Sequence, residues 1–139
     1  MLLVPQRRKF RKVAVGRLSG VSSNGTDVAF GTFGMKSVSN WYLTSRQIEA
    51  ARKVIVRYVR KTGKIWIRVF PDVPVTKKPL EVKMGGGKGN VDHYMARIKR
   101  GRILFEVNGV DEATAKDIFA KASYKLPFQT RTVARGEIN

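Results

Sequence analysis

The segment Thr44-Ser-Arg-Gln-Ile-Glu-Ala-Ala-Arg-Lys-Val-Ile-Val-Arg-Tyr-Val-Arg-Lys-Thr-Gly63 has the features of a well-defined helix. Thr44 and Gln47 have the spacing of a capping box, and residues 45 to 61 contain neither glycine nor proline. Gly63 suits the position just beyond a helix C-terminus. At about 100° per residue, one face of this helix is apolar and consists of Ile48, Ala51, Ile55, Tyr58 and Val59.

The opposite face of the same helix is cationic. It carries Arg46, Lys53, Arg57 and Arg60, and Glu49 is the one acid in the segment. A charged helix face is often merely solvated. Here we favour contact with a phosphate backbone, because one acid cannot pair with four cations along the helix.

The whole chain shares this imbalance of charge. Its 139 residues include 28 lysines and arginines against 10 aspartates and glutamates, a formal net charge of +18. Self-repulsion on this scale favours a polyanionic partner. Nucleic acid is the leading candidate and an anionic membrane surface is the competitor.

The imbalance is strongest at the N-terminus, where no acid precedes Asp27. Residues 1–25 combine turn-forming glycine, serine and asparagine with a cluster of cations. This segment could be a solvated, flexible tail, but its charge favours a nucleic-acid-binding arm. We therefore expect a basic arm over residues 1–25 and a single α+β domain that binds nucleic acid over residues 26–139.

The residues that flank the helix predict strands. Residues 26–38 carry Val28, Phe30 and Phe33 among glycines, which predicts a short strand followed by a kink. Residues 64–70 alternate, with isoleucine and valine on one face and cations with Trp66 and Phe70 on the other. Those two aromatic side chains could stack on bases, but we favour packing against another element.

The C-terminal half predicts further strands and a second helix. Residues 91–99 and 103–107 predict a hairpin joined near Arg100-Gly101, and residues 128–133 predict a last strand. Asp111 can cap a helix that runs to about residue 125 and is stopped by Pro127. Its apolar stripe consists of Ala115, Ile118, Phe119, Ala122 and Leu126. The mixture of helices and strands predicts an α+β fold with a mainly antiparallel sheet.

A long loop is expected over residues 71–90. Pro71, Pro74 and Pro79 should interrupt any regular ladder, and a glycine-rich run follows over residues 83–89. The run fails the P-loop pattern, because Gly89 follows Lys88 where serine or threonine is required. It also fails the dinucleotide-binding pattern. It predicts a flexible, cationic loop whose bare backbone can approach a polyanion closely.

The sequence offers no residues for catalysis or metal binding. It contains no cysteine and a single histidine, His93, so we expect no metal, no cofactor and no enzyme activity. No secretory signal or membrane-spanning run is recognisable, which favours the cytosol. No homo-oligomer is expected.

Several segments together resemble the bacterial large-subunit ribosomal protein L-sixteen family. The longest are Thr26-Asp-Val-Ala-Phe-Gly-Thr-Phe-Gly-Met-Lys36, Leu43-Thr-Ser-Arg-Gln-Ile-Glu-Ala-Ala-Arg52 and Gly63-Lys-Ile-Trp-Ile-Arg-Val-Phe-Pro-Asp72. Shorter matches are Pro74-Val-Thr-Lys-Lys-Pro79, Gly87-Lys-Gly-Asn-Val91 and Lys125-Leu-Pro127. Their order and spacing cover the chain to about residue 133.

The resemblance implies an α+β fold of the hammerhead type, embedded in large-subunit ribosomal RNA beside the aminoacyl-tRNA site. It implies contact with A-site and possibly P-site tRNA, neighbouring large-subunit proteins as partners, and late assembly into the subunit. A free, sequence-independent nucleic-acid-binding protein is the alternative. The residues expected to bind ribosomal RNA or tRNA are Arg7, Arg8, Lys9, Arg11, Lys12, Arg17, Arg46, Lys53, Arg57, Arg60, Lys77, Lys78, Lys83, Met84, Gly85, Gly87 and Lys88.

Three positions depart from the pattern of the family. Lys83 stands where the family often has an arginine that some bacteria hydroxylate, so lysine removes that modification and the planar fork of a guanidinium. Gly86 stands in place of a lysine and lowers the charge of the loop. Val4 is an additional residue before Pro5, which can shift the register of the arm on RNA.

Overall fold

The computed structural model describes residues 2–60 and 63–136. Two helices and seven strands make up these parts of the chain, so the predicted α+β class is confirmed. In chain order the elements are β1 (Phe33–Ser37), β2 (Trp41–Thr44), α1 (Ser45–Val59), β3 (Lys64–Ile67), β4 (Val73–Lys77), β5 (Asn90–Ile98), β6 (Ile103–Asn108), α2 (Glu112–Ser123) and β7 (Thr130–Ala134).

The strands form two antiparallel sheets. The larger has the order β3-β6-β1-β7 and the smaller has the order β2-β5-β4. Helices α1 and α2 pack against each other, and α1 contacts strands of both sheets. Fully buried Met35, Phe105, Ile55 and Phe119 belong to one apolar cluster that also includes Ile98 of the smaller sheet.

The hairpin predicted near Arg100-Gly101 is wrong, because β5 and β6 lie in different sheets. Strand β5 has β2 and β4 on its two edges, and β6 has β3 and β1, so neither has a free edge for the other. The connecting turn is held instead by distant backbone: Gly101 N–H donates to the Ser37 carbonyl at 2.7 Å, and Ser22 N–H donates to the Arg100 carbonyl at 3.0 Å.

Pro74 does not break the ladder as expected, because it lies within strand β4. Strand β4 is at the edge of its sheet, where a residue without an N–H is tolerated. The irregular loop is correspondingly shorter and spans residues 78–89. Strand β2, which the sequence did not predict, pairs with β5 and leads directly into α1.

Two aromatic side chains lie differently from the predicted packing. Tyr58, assigned to the apolar face of α1, is 43% exposed, and the ammonium group of Lys121 lies 4.4 Å from the centroid of its ring. Phe70 is 47% exposed beyond the end of β3. Trp66 is half-buried and stacks on Phe30, with ring centroids 6.2 Å apart.

Candidate nucleic-acid interface

Helix α1 forms one side of the candidate interface, and the predicted capping box begins it. The Thr44 hydroxyl accepts from Gln47 N–H at 3.2 Å, and the Gln47 side-chain oxygen accepts from Thr44 N–H at 3.0 Å. Ile48, Ala51, Ile55 and Val59 are buried. Burial of this stripe fixes the rotation of the helix, so the opposite face must point outward.

The four predicted cations of that outer face are Arg46, Lys53, Arg57 and Arg60, and all of them are exposed. Within residues 2–60 and 63–136, no ion pair involves any of them. At a rise of about 1.5 Å per residue, they extend over about 21 Å. This row can follow several phosphates of one nucleic-acid strand.

One ion pair does lie within α1, and it removes a different cation from the surface. The buried carboxylate of Glu49 accepts two hydrogen bonds from Arg52, at 2.8 and 2.5 Å. These hydrogen bonds lower the pKa of Glu49 to about 2, against the opposing effect of burial. The single acid of the helix therefore pairs with a cation outside the predicted RNA-binding row.

The glycine-rich loop connects β4 to β5, and residues 79–88 are exposed throughout. Gly85, Gly86 and Gly87 have φ values of 100°, 76° and 96°, a region that L-residues with side chains rarely adopt. A methyl group added at any of the three would meet nothing within 4 Å, so the side of the backbone where a side chain would stand is open. Exposed loop positions in the predicted site are Lys83, Met84, Gly85, Gly87 and Lys88.

Two lysines lie at the base of this loop. Lys77 is exposed at the end of β4, and the ammonium group of Lys78 donates to the Gly85 carbonyl at 2.7 Å. A carbonyl oxygen satisfies the hydrogen bond without cancelling the charge. The loop therefore keeps a positive base below a bare glycine tip.

The N-terminal arm lies on the smaller sheet. The Arg97 guanidinium of β5 donates to the carbonyls of Ala14 and Val15 at 3.0–3.1 Å, and the Tyr42 hydroxyl donates to the Gly16 carbonyl at 2.6 Å. The Arg8 guanidinium donates to the Asp72 carbonyl. The arm thus adopts a defined path, although the sequence suggested a solvated tail as one of its two interpretations.

The arm and the glycine-rich loop are joined by a reciprocal pair of hydrogen bonds. The Lys12 ammonium donates to the Lys88 carbonyl at 3.1 Å, and the Lys88 ammonium donates to the Val13 carbonyl at 3.0 Å. The carbonyl acceptors bring no counter-charge to either ammonium group. Arg8 of the arm is half-buried. The remaining predicted cations of the arm are exposed, namely Arg7, Lys9, Arg11 and Arg17.

The start of α1 and the base of the loop converge on Asp92 in β5. The hydrogen bond with His93, 2.7 Å from ring nitrogen to carboxylate, lowers the pKa of Asp92, and the charges of Lys77 and Arg46 lower it further. Arg46 and Lys77 therefore lie near one carboxylate. The arm thus contacts the loop through Lys12 and Lys88, and the charges of the loop base and of the N-terminal end of α1 act on one carboxylate.

Arg97, Tyr42 and Asn40 position the arm but were not among the predicted site residues. Asn40 donates to the Gly20 carbonyl at 3.1 Å. Each contact joins residues 20 or more positions apart and ends on a backbone carbonyl, which has no sequence signature. Only the position of Arg97 on an alternating strand could have marked it as exposed.

Metal clusters and membrane-spanning helices are both absent from the described part of the chain. No three histidine, cysteine, aspartate or glutamate side chains in residues 2–60 and 63–136 lie close enough together to hold a metal ion. Of the helices in the same ranges, neither has the length and apolar character needed to cross a bilayer.

Comparison with known proteins finds close relatives over almost the whole chain. The family described as "Ribosomal protein L16p/L10e" matches residues 5–133. A protein of Halorhodospira halophila named "Large ribosomal subunit protein uL16" is 55% identical over 134 residues, which cover 96% of this chain and 98% of the relative. Proteins of the same name from Vibrio cholerae and Aeromonas hydrophila are each 53% identical over the same shares.

Proposed function

This chain belongs to the ribosomal protein L16p/L10e family, and we propose that its arm, its glycine-rich loop and the cationic face of α1 bind RNA of the large ribosomal subunit as one continuous surface. Its role is that of a structural constituent of the large subunit in the cytoplasm, not of an enzyme. Ribosomal RNA and neighbouring ribosomal proteins are its partners. The division into an arm over residues 1–25 and a domain over residues 26–139 is part of the proposal.

The observation that supports this surface most directly is the absence of neutralising partners. Arg46, Lys53, Arg57 and Arg60 are exposed and have no ion pair among the described residues. By contrast, the cations of α2 pair at i,i+4 spacing, Lys116 with Glu112 at 3.1 Å and Lys121 with Asp117 at 3.0 Å. Unpaired cations in a row are suited to the phosphates of a nucleic acid. When lysine or arginine side chains neutralise these phosphates, the counterions condensed around them are released.

We further propose that the glycine-rich loop contacts tRNA at the aminoacyl-tRNA site, while the arm and α1 hold ribosomal RNA. The loop projects from an edge strand, its tip lacks bulky side chains at three consecutive positions, and Lys77, Lys78 and Lys88 surround its base. Such a segment can come close to a nucleic-acid backbone that is bound only transiently. We also propose that the chain enters the subunit late, because its surface needs RNA that is already folded on several sides.

The salt dependence of RNA binding tests the helix face. Replacement of Arg46, Lys53, Arg57 and Arg60 by glutamine should leave the fold intact, because all four side chains are exposed. The slope of log K against log salt should fall by about 1 for each phosphate that the variant no longer neutralises. The measurement is a filter-binding or fluorescence titration with large-subunit ribosomal RNA at several salt concentrations.

The double variant Lys116→Gln and Lys121→Gln provides the control for that titration. It removes two cations from α2 that already pair with acids, so its slope should stay near that of the wild type. An unchanged slope in the quadruple variant would show that the face of α1 is merely solvated. Recovery of the wild-type chain only in ribosome-free supernatant, with equal affinity for random duplexes, would favour the free nucleic-acid-binding alternative.

A further inference from the structure

Glu106 of β6 is a fully buried carboxylate that holds a loop on the outer face of the larger sheet. One of its oxygens accepts from the N–H groups of three consecutive residues, Ala29, Phe30 and Gly31, at 2.9, 2.8 and 2.9 Å. Its other oxygen accepts from the Arg68 guanidinium. Every residue of the segment 29–31 is therefore tied to one acid below it.

The position of Gly31 allows this close approach. Its backbone lies against the backbone of Val107, and a methyl group at Gly31 would collide with the Val107 carbonyl. The next residue is held at the same place, because Thr32 N–H donates to that carbonyl at 2.9 Å. The loop therefore has little freedom to withdraw its side chains into the core.

The consequence is an exposed aromatic surface next to cations. Phe30 is 55% exposed and stacks on Trp66, and the two rings are inclined by 20°. The Arg68 guanidinium carbon lies 5.1 Å from the Phe30 centroid, and the Lys64 ammonium lies 5.4 Å from the Trp66 centroid. We call Phe30, Lys64, Trp66 and Arg68 the aromatic patch.

Core stability alone does not account for the aromatic patch. A buried ion pair is a weak source of stability, because both ions lose their hydration. The ion pair between Glu106 and Arg68 also helps to hold Phe30 at the surface, whereas a looser loop could bury its ring. Arrangements that present aromatic rings beside cations are typical of surfaces that stack nucleotides.

We propose that the aromatic patch is a stacking site for an unpaired nucleotide of RNA, with the base against Phe30 and a flanking phosphate near Lys64. The proposal rests on the RNA-binding function proposed above and adds a second kind of contact to it. The charge of the chain favours RNA over a neutral protein surface as the occupant. A single-stranded nucleotide fits better than a duplex, because bases inside a duplex are stacked on their neighbours and offer no free ring face.

Tryptophan fluorescence can report occupancy of the patch. The chain has two tryptophans, and Trp41→Phe leaves Trp66 as the only one, so excitation selective for tryptophan reports on this side chain. In this background, a 12-nucleotide oligouridylate and a 12-base-pair RNA duplex are titrated against the chain and against its Phe30→Ala and Phe30→Leu variants. Tyr124→Ala is the control, because Tyr124 is an aromatic side chain that is 84% exposed on another part of the surface.

We expect oligouridylate to quench Trp66 and Phe30→Ala to weaken single-strand binding by about 5- to 150-fold, the range for one base stacked on an aromatic ring. Phe30→Leu should lose most of the same affinity, since it keeps apolar bulk but not the ring. The salt slope should not change, because no cation is removed. The affinity of the Phe30 variants for the duplex should stay within about twofold of the parent, and so should the RNA affinity of the Tyr124→Ala variant. Neither comparison removes a base stacked at this patch.

Three outcomes would overturn the stacking site. In the first, Phe30→Ala loses no more single-strand affinity than Tyr124→Ala loses. In the second, Phe30→Ala loses as much affinity for the duplex as for the single strand. In the third, the fluorescence of Trp66 responds to a neighbouring ribosomal protein but not to RNA. Failure of the proposed function gives a different result, since the wild-type chain would then be absent from large subunits whether or not it binds RNA. If the wild-type and Phe30→Ala chains both enter large subunits and have the same RNA affinity, the stacking site is refuted and the proposed function is not.

Discussion

Replacement of Glu106 by glutamine should be among the most destabilising single changes in this protein. The carboxylate is fully buried, accepts three backbone N–H groups, and pairs with Arg68, whose side chain is only 18% exposed. Burial raises the pKa of Glu106, but the hydrogen bonds from Gly31, Arg68 and Phe30 outweigh it and hold the pKa below its ordinary value. The group is therefore ionised at neutral pH.

The magnitude follows from what the substitution leaves behind. The neutral amide can still accept from the backbone, but its NH₂ group would face the Arg68 guanidinium, which would then lie mostly out of solvent without a counter-charge. Breaking a buried ion pair by removing one partner costs about 3–5 kcal/mol. We expect a loss of that size in the free energy of unfolding, together with release of the segment 29–31.

Urea unfolding at neutral pH, followed by far-UV circular dichroism, measures the loss. Glu112→Gln is the matched control, because the Glu112 side chain is 65% exposed in its pair with Lys116 and should change stability by less than about 1 kcal/mol. The pKa of Glu106 is lowered on folding, so its contribution is present above the ordinary value of 4.5 and disappears as the pH falls through the lowered pKa. A loss below about 1 kcal/mol at neutral pH, against the roughly 3–5 expected, would contradict the role assigned to this carboxylate.

Two further predictions concern helix α1. Ile55→Ala should cost about 2–5 kcal/mol of unfolding free energy, because Ile55 is fully buried between the helix and the sheets; a negligible loss in urea unfolding would show that it lies outside the core. The pKa of Glu49 falls from 4.5 to about 2 through its hydrogen bonds with Arg52, so this group stabilises the fold above pH 4.5 and the effect is lost as the pH falls toward 2. Between pH 4.5 and pH 2, the wild-type chain should therefore lose about 2–3 kcal/mol more unfolding free energy than the Glu49→Gln variant loses. Equal losses in the two chains would count against the ion pair with Arg52.

Local signals predicted the helices well. The capping box at Thr44, the buried stripe through Ile48 and Ile55, and the Asp111 cap of α2 are all present. These features depend on residues three or four positions apart, whose geometry is set within the helix itself. The exposure of the cationic face follows from the same periodicity, because burial of one stripe turns the other outward.

Strand partners could not be predicted in the same way. The short connection between β5 and β6 suggests a hairpin, but each strand already has two neighbours that come from distant parts of the chain. Tyr58 likewise has the right phase for the apolar face, yet it lies at its margin and meets Lys121 of α2. Strand pairing and the burial of Tyr58 both depend on which distant segments of the chain compete for the same strand edge or the same space in the core.

Charge and periodicity are local properties of the chain, and they were enough to establish the class of partner, the α+β composition and the three cationic segments. The three-dimensional fold was needed to join Lys12 to Lys88 and to bring Arg46 and Lys77 near one carboxylate. It also placed Glu106 beneath a loop more than 70 residues away in sequence and so held Phe30 at the surface. The contacts of Lys12, Lys88 and Glu106 end on backbone N–H and carbonyl groups, which nearly every residue carries, so the path of the folded chain decides which of them meet.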